Sequence, residues 1–400
     1  MRIGIVAGEA SGDYLGARLI RALRARWPEL EFEGIAGPRM QSEGARSLYP
    51  MEALSVRGYV EVLRHLPRLL GIRRELAAYF RSDPPSVFIG IDAPDFNLGL
   101  ARRMKRAGIP AVQCVAPTVW AWRAGRLPGI RAAVDAILAI FPFEPALFRA
   151  AGIPTTYIGH PLASELPDPP DRLGAREMLR LSGSAPVIAL LPGSRVSELN
   201  FHADLFIETA RLLHQRFPEA RFLVPLATRE THHLFTVALW KRDAQTLPIT
   251  LMHGHATEAL TASDLALVAS GTATLEAALC GCPMVVTYRL ARLTAALVRA
   301  RKHLPFVSLP NILARDWLVP ELLQEDATAP NLARAMVNLL VDRDMRGELE
   351  ARFRSLHCML RADTDAAIQQ ALAPWIDTLA AGRRRTALDG QTRPALPGTS

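Results

Sequence analysis

Short apolar runs alternate with amphipathic stretches from the first residues of the chain. Residues 2–7, 32–35, 87–91, 111–115, 136–141 and 156–158 read as strands, too evenly apolar for strands with one wet face. Residues 13–27 read as a helix, with Leu15, Leu19, Ile20, Leu23 and Trp27 on one side. Strands interleaved with helices predict a parallel sheet covered on both faces. Residues 161–186 carry Pro167, Pro169 and Pro170 and read as a connector with one short helix near 171–181. The alternation then restarts, with strands at 187–191, 221–225, 249–252, 265–269 and 284–287 and helices near 201–216 and 272–280. After Pro330 the pattern is helical only, to about residue 379.

A chain of 400 residues exceeds what one core usually supports, so two α/β domains are expected. The boundaries read as 1–165 for an N-terminal Rossmann-like domain, 166–345 for a second, 346–380 for helices packing back across, and 381–400 for a disordered basic tail. MRIGIVAG is too short for a secretory h-region and matches a first strand. No stretch has the ~18 uninterrupted apolar residues of a membrane span. Cys114, Cys280, Cys282 and Cys358 lack zinc-ribbon spacing. They read as thiols in a reducing compartment, so a cytoplasmic protein is expected.

The net charge of +8 is unevenly placed. No acid lies between Asp95 and Asp135, a stretch holding Arg102, Arg103, Lys105, Arg106, Arg123, Arg126 and Arg131. None lies between Glu276 and Asp316 either, a stretch holding Arg289, Arg292, Arg299, Arg301, Lys302 and Arg315. Such patches favour phosphorylated ligands, anionic lipid headgroups or nucleic acid, or are solvated helix faces.

Two strings carry most of the chemistry. GEASGD (residues 8–13) and SGTATLEAAL (270–279) each follow an apolar run, break at glycine and hydroxyl residues, and open a helix. A helix start offers unpaired amides and a positive dipole end, so each is a candidate anion site. Two of them suggest two nucleotide-type lobes facing a cleft. Gly8, Gly12 and Gly16 form neither a dinucleotide fingerprint nor a Walker A loop. Gly8 and Gly12 permit close backbone approach to a ligand, Gly16 lets the helix pack on the sheet, and Ser11 or Asp13 is a candidate cap.

Glu9 either accepts a hydrogen bond from a sugar hydroxyl or is a solvated turn residue. Asp92, in VFIGIDAPDFN, ends a strand where open α/β sheets place ligands, and suits a general base; Asp95 suits a cap. Trp120 and Trp122 beside Arg123 suit a sugar or lipid surface, or the core. In LLPGSRVSEL, Arg195 near a helix start suits a diphosphate, or forms a surface pair with Glu198. Ser194, Ser270, Gly271, Thr272 and Thr274 offer hydroxyl and amide donors, and Glu276 lies about where a ribose would sit. The Asp-x-Asp triplets at 342–344 and 363–365 fall in the helical tail and read as solvated faces, so no metal site is expected. His232 and His233 show no ligand spacing; His160 is left a cleft role or a structural one.

GEASGD, AGPRMQSEG, GIDAPDFN, VAPTVWAWR, FPFE, IGHP, LPGSRVSEL, SGTATLEAAL, CPMVVTYR and VSLPNIL occur in the order seen in the lipid-A-disaccharide synthase family, which residues 2–373 resemble. The resemblance implies a GT-B fold and inverting transfer of 2,3-diacylglucosamine from UDP-2,3-diacylglucosamine to 2,3-diacylglucosamine 1-phosphate. The products are UDP and a β-1′,6-linked disaccharide 1-phosphate. No metal, cofactor or nucleic acid is implied, and the protein associates peripherally with the cytoplasmic face of the inner membrane. By the same resemblance Asp92 is the general base, Glu9 a required acid near the acceptor, and Arg195 a donor-side arginine. Ser194, Ser270, Gly271, Thr272 and Glu276 fall in nucleotide-binding loops, and Asn311 is a required polar residue; spacing alone makes Asn311 a turn. Residues 57–81, with Leu63, Leu66, Leu69, Leu70, Ile72, Leu76 and Phe80 among six arginines, suit acyl chains or an ordinary core-facing helix. The helical C-terminal segment leaves room for a homodimer exchanged through it. The competing readings are another GT-B enzyme, such as a UDP-GlcNAc 2-epimerase, and a non-catalytic nucleotide-sugar-binding protein.

Overall fold

The computed structural model describes the chain except residues 55–58, 121–123, 182, 184, 291–304 and 390–400, with 59–65, 124 and 378–389 described in backbone only. The chain divides into two compact units: Met1–Pro161 with Ala362–Ser400, and Leu162–Arg361.

In the first unit seven strands form one parallel sheet: β1 (Arg2–Ala7), β2 (Glu31–Ile35), β3 (Ala45–Ser47), β4 (Val87–Ile91), β5 (Ala111–Cys114), β6 (Ala136–Ala139) and β7 (Thr155–Tyr157). The order is β3-β2-β1-β4-β5-β6-β7. Every residue of β4 and β6 is buried, as two helix-covered faces require. The order reverses direction between β1 and β4, whose ends are level, Ala7 pairing with Ile91. That reversal opens a crevice at the carboxyl ends of the two strands, the site where open α/β sheets bind ligands. Helices Ala10–Arg26 and Pro94–Arg106 start directly after them.

The second unit repeats the plan with β8 (Val187–Leu191), β9 (Arg221–Leu226), β10 (Ile249–His253), β11 (Leu265–Ala269), β12 (Met284–Tyr288) and β13 (Glu321–Leu323). Its order is β10-β9-β8-β11-β12-β13, again parallel, with the reversal between β8 and β11. Helix Val196–Arg216 follows β8 and helix Ala273–Leu279 follows β11.

The strand cores match the apolar runs. The three-residue edge strands β3 and β13 were not expected from the pattern, because ARS and ELL carry no periodic signal. The units divide at Pro161 and Arg361, where the sequence reading placed boundaries at 165 and 345. Helix Arg343–Leu360 therefore lies within the second unit, and the last helix, Thr364–Asp389, within the first. It packs on helix Ala10–Arg26: Ile368, Leu372 and Ile376 are buried, and Trp27 Nε1 donates to Asp377 Oδ1 at 2.9 Å. This helix also enters the stretch read as a disordered tail, whose last residues, 390–400 with Arg393, lie outside the described residues. The two Asp-x-Asp triplets are helix caps, Asp342 Oδ1 accepting from Met345 N at 2.9 Å and Asp363 Oδ1 from Ala366 N at 3.0 Å. Cys280 and Cys282 are buried, and burial pushes both thiols above their usual range. Among the described residues no helix is long and apolar enough to cross a membrane.

Candidate functional site

At the first reversal the loops after β1 and β4 touch. A Cβ on Gly8 would lie 2.8 Å from the Ala93 Cβ, so Gly8 serves the approach of one loop to the other. Ser11 Oγ donates to Asp92 Oδ2 at 3.2 Å. Ser11 is therefore not the helix cap the sequence suggested. Asp13 is not either: it is buried, and its carboxylate accepts from Arg39 N and Met40 N at 3.0 Å, capping the next helix, Pro38–Ser42. Glu9 occupies the N-cap position of helix Ala10–Arg26 in extended backbone, and its side chain makes no capping bond. Glu9 and Asp92 thus stand at the carboxyl ends of neighbouring strands.

Asp92 has φ +51° and Ala93 φ +39°, a conformation that costs a non-glycine residue about 1–2 kcal/mol. It is held from both sides: Asp92 O accepts from Asn97 Nδ2 at 2.9 Å and from Gln113 Nε2 at 3.0 Å, and Asp92 N donates to Cys114 O at 2.9 Å. Asn97 and Gln113 are fully buried and were not singled out in the sequence. A glutamine inside the apolar run AVQCV was the available signal. Asp95 pairs with Arg126 at 2.7 Å on the first turn of its helix instead of capping it.

Beyond β5, β6 and β7 lies an aromatic cluster. Trp120 meets Phe141 and Phe143 edge-on, and His160 packs on Phe141 at 5.6 Å between centroids. Glu144 is 1% exposed and accepts from Trp120 Nε1 at 3.2 Å and Phe141 N at 3.1 Å. Burial pushes its carboxyl up to about 7, against the pull of those bonds. Burial lowers the His160 imidazole to about 4, so that ring is neutral at neutral pH. Trp120 is held as a packing element; Trp122 and Arg123 lie outside the described residues.

At the second reversal a cavity of about 480 Å³ is lined by residues 193–195, Glu198, 270–273, Glu276 and Tyr288. Its size suits a small-molecule ligand. Six residues singled out in the sequence meet here: Ser194, Arg195, Ser270, Gly271, Thr272 and Glu276. Arg195 begins helix Val196–Arg216 with its side chain 53% exposed. Ser270 Oγ donates to Val307 O at 3.2 Å, and Thr274 Oγ1 to Gly271 O at 2.8 Å, so these two hydroxyls build the turn. Glu276 Oε1 accepts from Thr257 Oγ1 at 2.7 Å; burial outweighs that bond and raises its pKa. Burial likewise lowers His202, whose Nε2 accepts from Arg289 N at 2.9 Å.

Asn311 is not a cavity residue. It is fully buried, donates to Val319 O and Glu321 Oε1 at 2.9 Å each, and accepts from Val319 N at 2.9 Å. Glu321 in turn accepts from Val307 N, Ser308 N and Ser308 Oγ. Val307 O receives Ser270, and Leu309 N donates to Thr274 Oγ1 at 3.2 Å. Asn311 therefore shapes the segment against which the Ser270–Thr274 turn rests. The basic residues Arg292, Arg299, Arg301 and Lys302 lie outside the described residues, as does much of the basic apolar segment at 57–65.

Two doubly wound parallel sheets, each with polar groups gathered at its switch point, define the two-domain α/β architecture called GT-B. A UDP-GlcNAc 2-epimerase from Neisseria meningitidis, solved bound to UDP-GlcNAc, superposes with TM-score 0.62 at 12% identity, over 95% of this chain and 100% of that one. CalG4, the calicheamicin glycosyltransferase, does so with TM-score 0.58 at 14% identity, over 95% and 99%. At such identities these likenesses establish the fold, GT-B, and nothing finer. Residues 3–372 match the family described as lipid-A-disaccharide synthetase. A lipid-A-disaccharide synthase from Methylobacillus flagellatus is 53% identical over 374 residues, 94% of this chain and 99% of that one. The chain belongs to the lipid-A-disaccharide synthase family, a family of glycosyltransferases. The epimerase reading is not favoured.

Proposed function

We propose that the protein condenses UDP-2,3-diacylglucosamine with 2,3-diacylglucosamine 1-phosphate, giving the β-1′,6-linked disaccharide 1-phosphate and UDP. The observation that carries this reading is the family match across residues 3–372. Asp92 is the general base: as the acceptor 6-hydroxyl attacks the anomeric carbon of the UDP sugar, its proton passes to Asp92. The new C–O bond forms as the bond to the diphosphate breaks, and UDP leaves with inversion. The strained, doubly held backbone at Asp92 supports this role, since it aims a carboxylate with little freedom. Glu9 meets the acceptor beside it. Arg195 and the turn at 270–272 take the diphosphate, and Glu276 takes the ribose hydroxyls of UDP. Clustering of these residues in one cavity supports that assignment. The neighbour solved with UDP-GlcNAc fits a nucleotide-sugar ligand. The enzyme works at the cytoplasmic face of the inner membrane, where Leu66 and Leu70, both exposed on a helix rich in arginine, suit acyl chains. A second copy pairs through the C-terminal segment.

The test is a two-step incubation read by mass spectrometry and by proton NMR, which tells a UDP sugar from its epimer. With UDP-2,3-diacylglucosamine alone the UDP sugar persists; on adding the acylated 1-phosphate, disaccharide and UDP appear together. Epimerised UDP sugar in the first step, or no disaccharide in the second, rejects the reading.

A further inference from the structure

A helix that starts at the end of a strand ordinarily offers its amides to an anion. At the turn after β8 the two amides that lead into the helix are already taken. Ser194 N and Arg195 N donate to Glu198 Oε2 at 3.0 and 3.3 Å. The other oxygen of that carboxylate, Oε1, accepts from Tyr288 Oη at 3.4 Å, which pins the side chain to β12. Gly193 belongs to the same arrangement. It sits at φ +118°, and a Cβ there would lie 2.7 Å from both Cβ and Oε2 of Glu198. No side chain fits at 193 while Glu198 occupies its place.

Glu198 lines the cavity beside Arg195 and is 16% exposed in its side chain. A carboxylate that occupies these two amides withholds them from an anion. The Arg195 guanidinium of the same turn stays available to a phosphate. It stands 3.9 Å from Glu198 Oε1, beyond hydrogen-bonding distance, so its N–H groups are not spent on that carboxylate.

Resting on the reading that this cavity receives the diphosphate of a UDP sugar, we propose that Glu198 is a positioning residue. By holding the amides of Ser194 and Arg195 it sets the turn so that the guanidinium of Arg195 is aimed at the diphosphate. Recognition through a planar side-chain cation is geometrically selective where an open amide nest would accept any anion. Glutamine keeps the shape and one acceptor oxygen for the two amides. Alanine releases the turn, and Arg195 loses its aim.

Full-length wild type, Glu198→Gln and Glu198→Ala are titrated calorimetrically with UDP and, separately, with uridine. Expected is a loss of about tenfold or more in UDP affinity for Glu198→Ala, equivalent to ~1.4 kcal/mol. Uridine affinity stays within about twofold, and Glu198→Gln recovers most of the UDP loss. Unchanged UDP affinity in Glu198→Ala overturns the proposal. So does a parallel loss of uridine affinity, which marks general damage to the cavity, and so does a Glu198→Gln variant no better than alanine. Wild type that binds neither ligand rejects the nucleotide-sugar reading itself, and the proposal falls with it.

Discussion

The hydroxyl of Ser11 lies 3.2 Å from Oδ2 of Asp92, joining the loop after β1 to the loop after β4. The bond ties the GEASGD string to the candidate base, so part of what the string does is hold a carboxylate. A hydrogen bond to a charged group is typically worth ~1.5–3 kcal/mol; this pair is partly solvated, so the lower end applies. Ser11→Ala is expected to lower kcat about tenfold with KM for the UDP sugar little changed. Asp92→Asn lowers kcat by ~10²–10⁴ while UDP affinity persists. Steady-state kinetics on both variants checks this; near-normal turnover by Asp92→Asn removes it as the base.

Asn311 supports the Ser270 turn from behind, through Glu321 and Val307. Asn311→Ala strips Val319 N and O of buried partners, at a cost of about 1–3 kcal/mol for each group left unsatisfied. The variant is expected to lose thermal stability and to bind UDP more weakly, even though Asn311 does not line the cavity. Thermal unfolding with and without UDP measures both effects. A variant that is stable yet inactive, with UDP binding intact, would place Asn311 at the reacting groups instead.

Glu144 and His160 pull stability in opposite directions with pH. Burial raises Glu144 from 4.5 to about 7, so the folded state holds a proton that the unfolded chain has lost between those values. Its contribution falls as pH rises through that window. Burial lowers His160 from 6.5 to about 4, so below 6.5 the unfolded chain takes up a proton that the folded state refuses. Its contribution falls as pH falls. Between pH 5 and 6 the two slopes cancel, each being ~1.4 kcal/mol per pH unit. Glu144→Gln removes one slope, so its unfolding free energy should drop relative to wild type by about that amount from pH 6 to pH 5. Urea denaturation at the two pH values reads the difference, and equal slopes refute the assignment.

Leu372 is fully buried on the last helix, which packs on helix Ala10–Arg26. Leu372→Ala is expected to destabilise by ~2–5 kcal/mol. Trp27→Phe, which removes the 2.9 Å bond to Asp377 and trims the buried indole to a phenyl, should cost at least about 1 kcal/mol. Both are checked by denaturant midpoints. A Leu372→Ala variant as stable as wild type would mean the C-terminal helix is not part of the first core.

Most strands were legible because burial on both faces demands continuous apolar runs, and VFIGI, VIALL and LALVA admit little else. The edge strands ARS and ELL were illegible because a short edge strand draws its stability from its neighbour, not from its own composition. Among the candidate site residues, Asp92 stood out as a charged residue at the end of an apolar run and Arg195 as one at a helix start after a strand. Asn97, Gln113, Glu198 and Glu321 were not, since each works by satisfying the backbone of a loop remote in sequence or already folded back on itself.

The order of apolar runs and breaks along the chain determined two parallel doubly wound sheets and the strand ends that carry the polar groups. That information is local, fixed by side-chain hydrophobicity and by the turn residues between runs. Which polar side chains are spent on structure was decided only by tertiary contact. Asp13 caps a helix that starts 25 residues later, and Asn311 is consumed within its own segment. A hydrogen-bonding group advertises its chemistry in the sequence; its partner is chosen by proximity in space, which spacing along the chain does not encode.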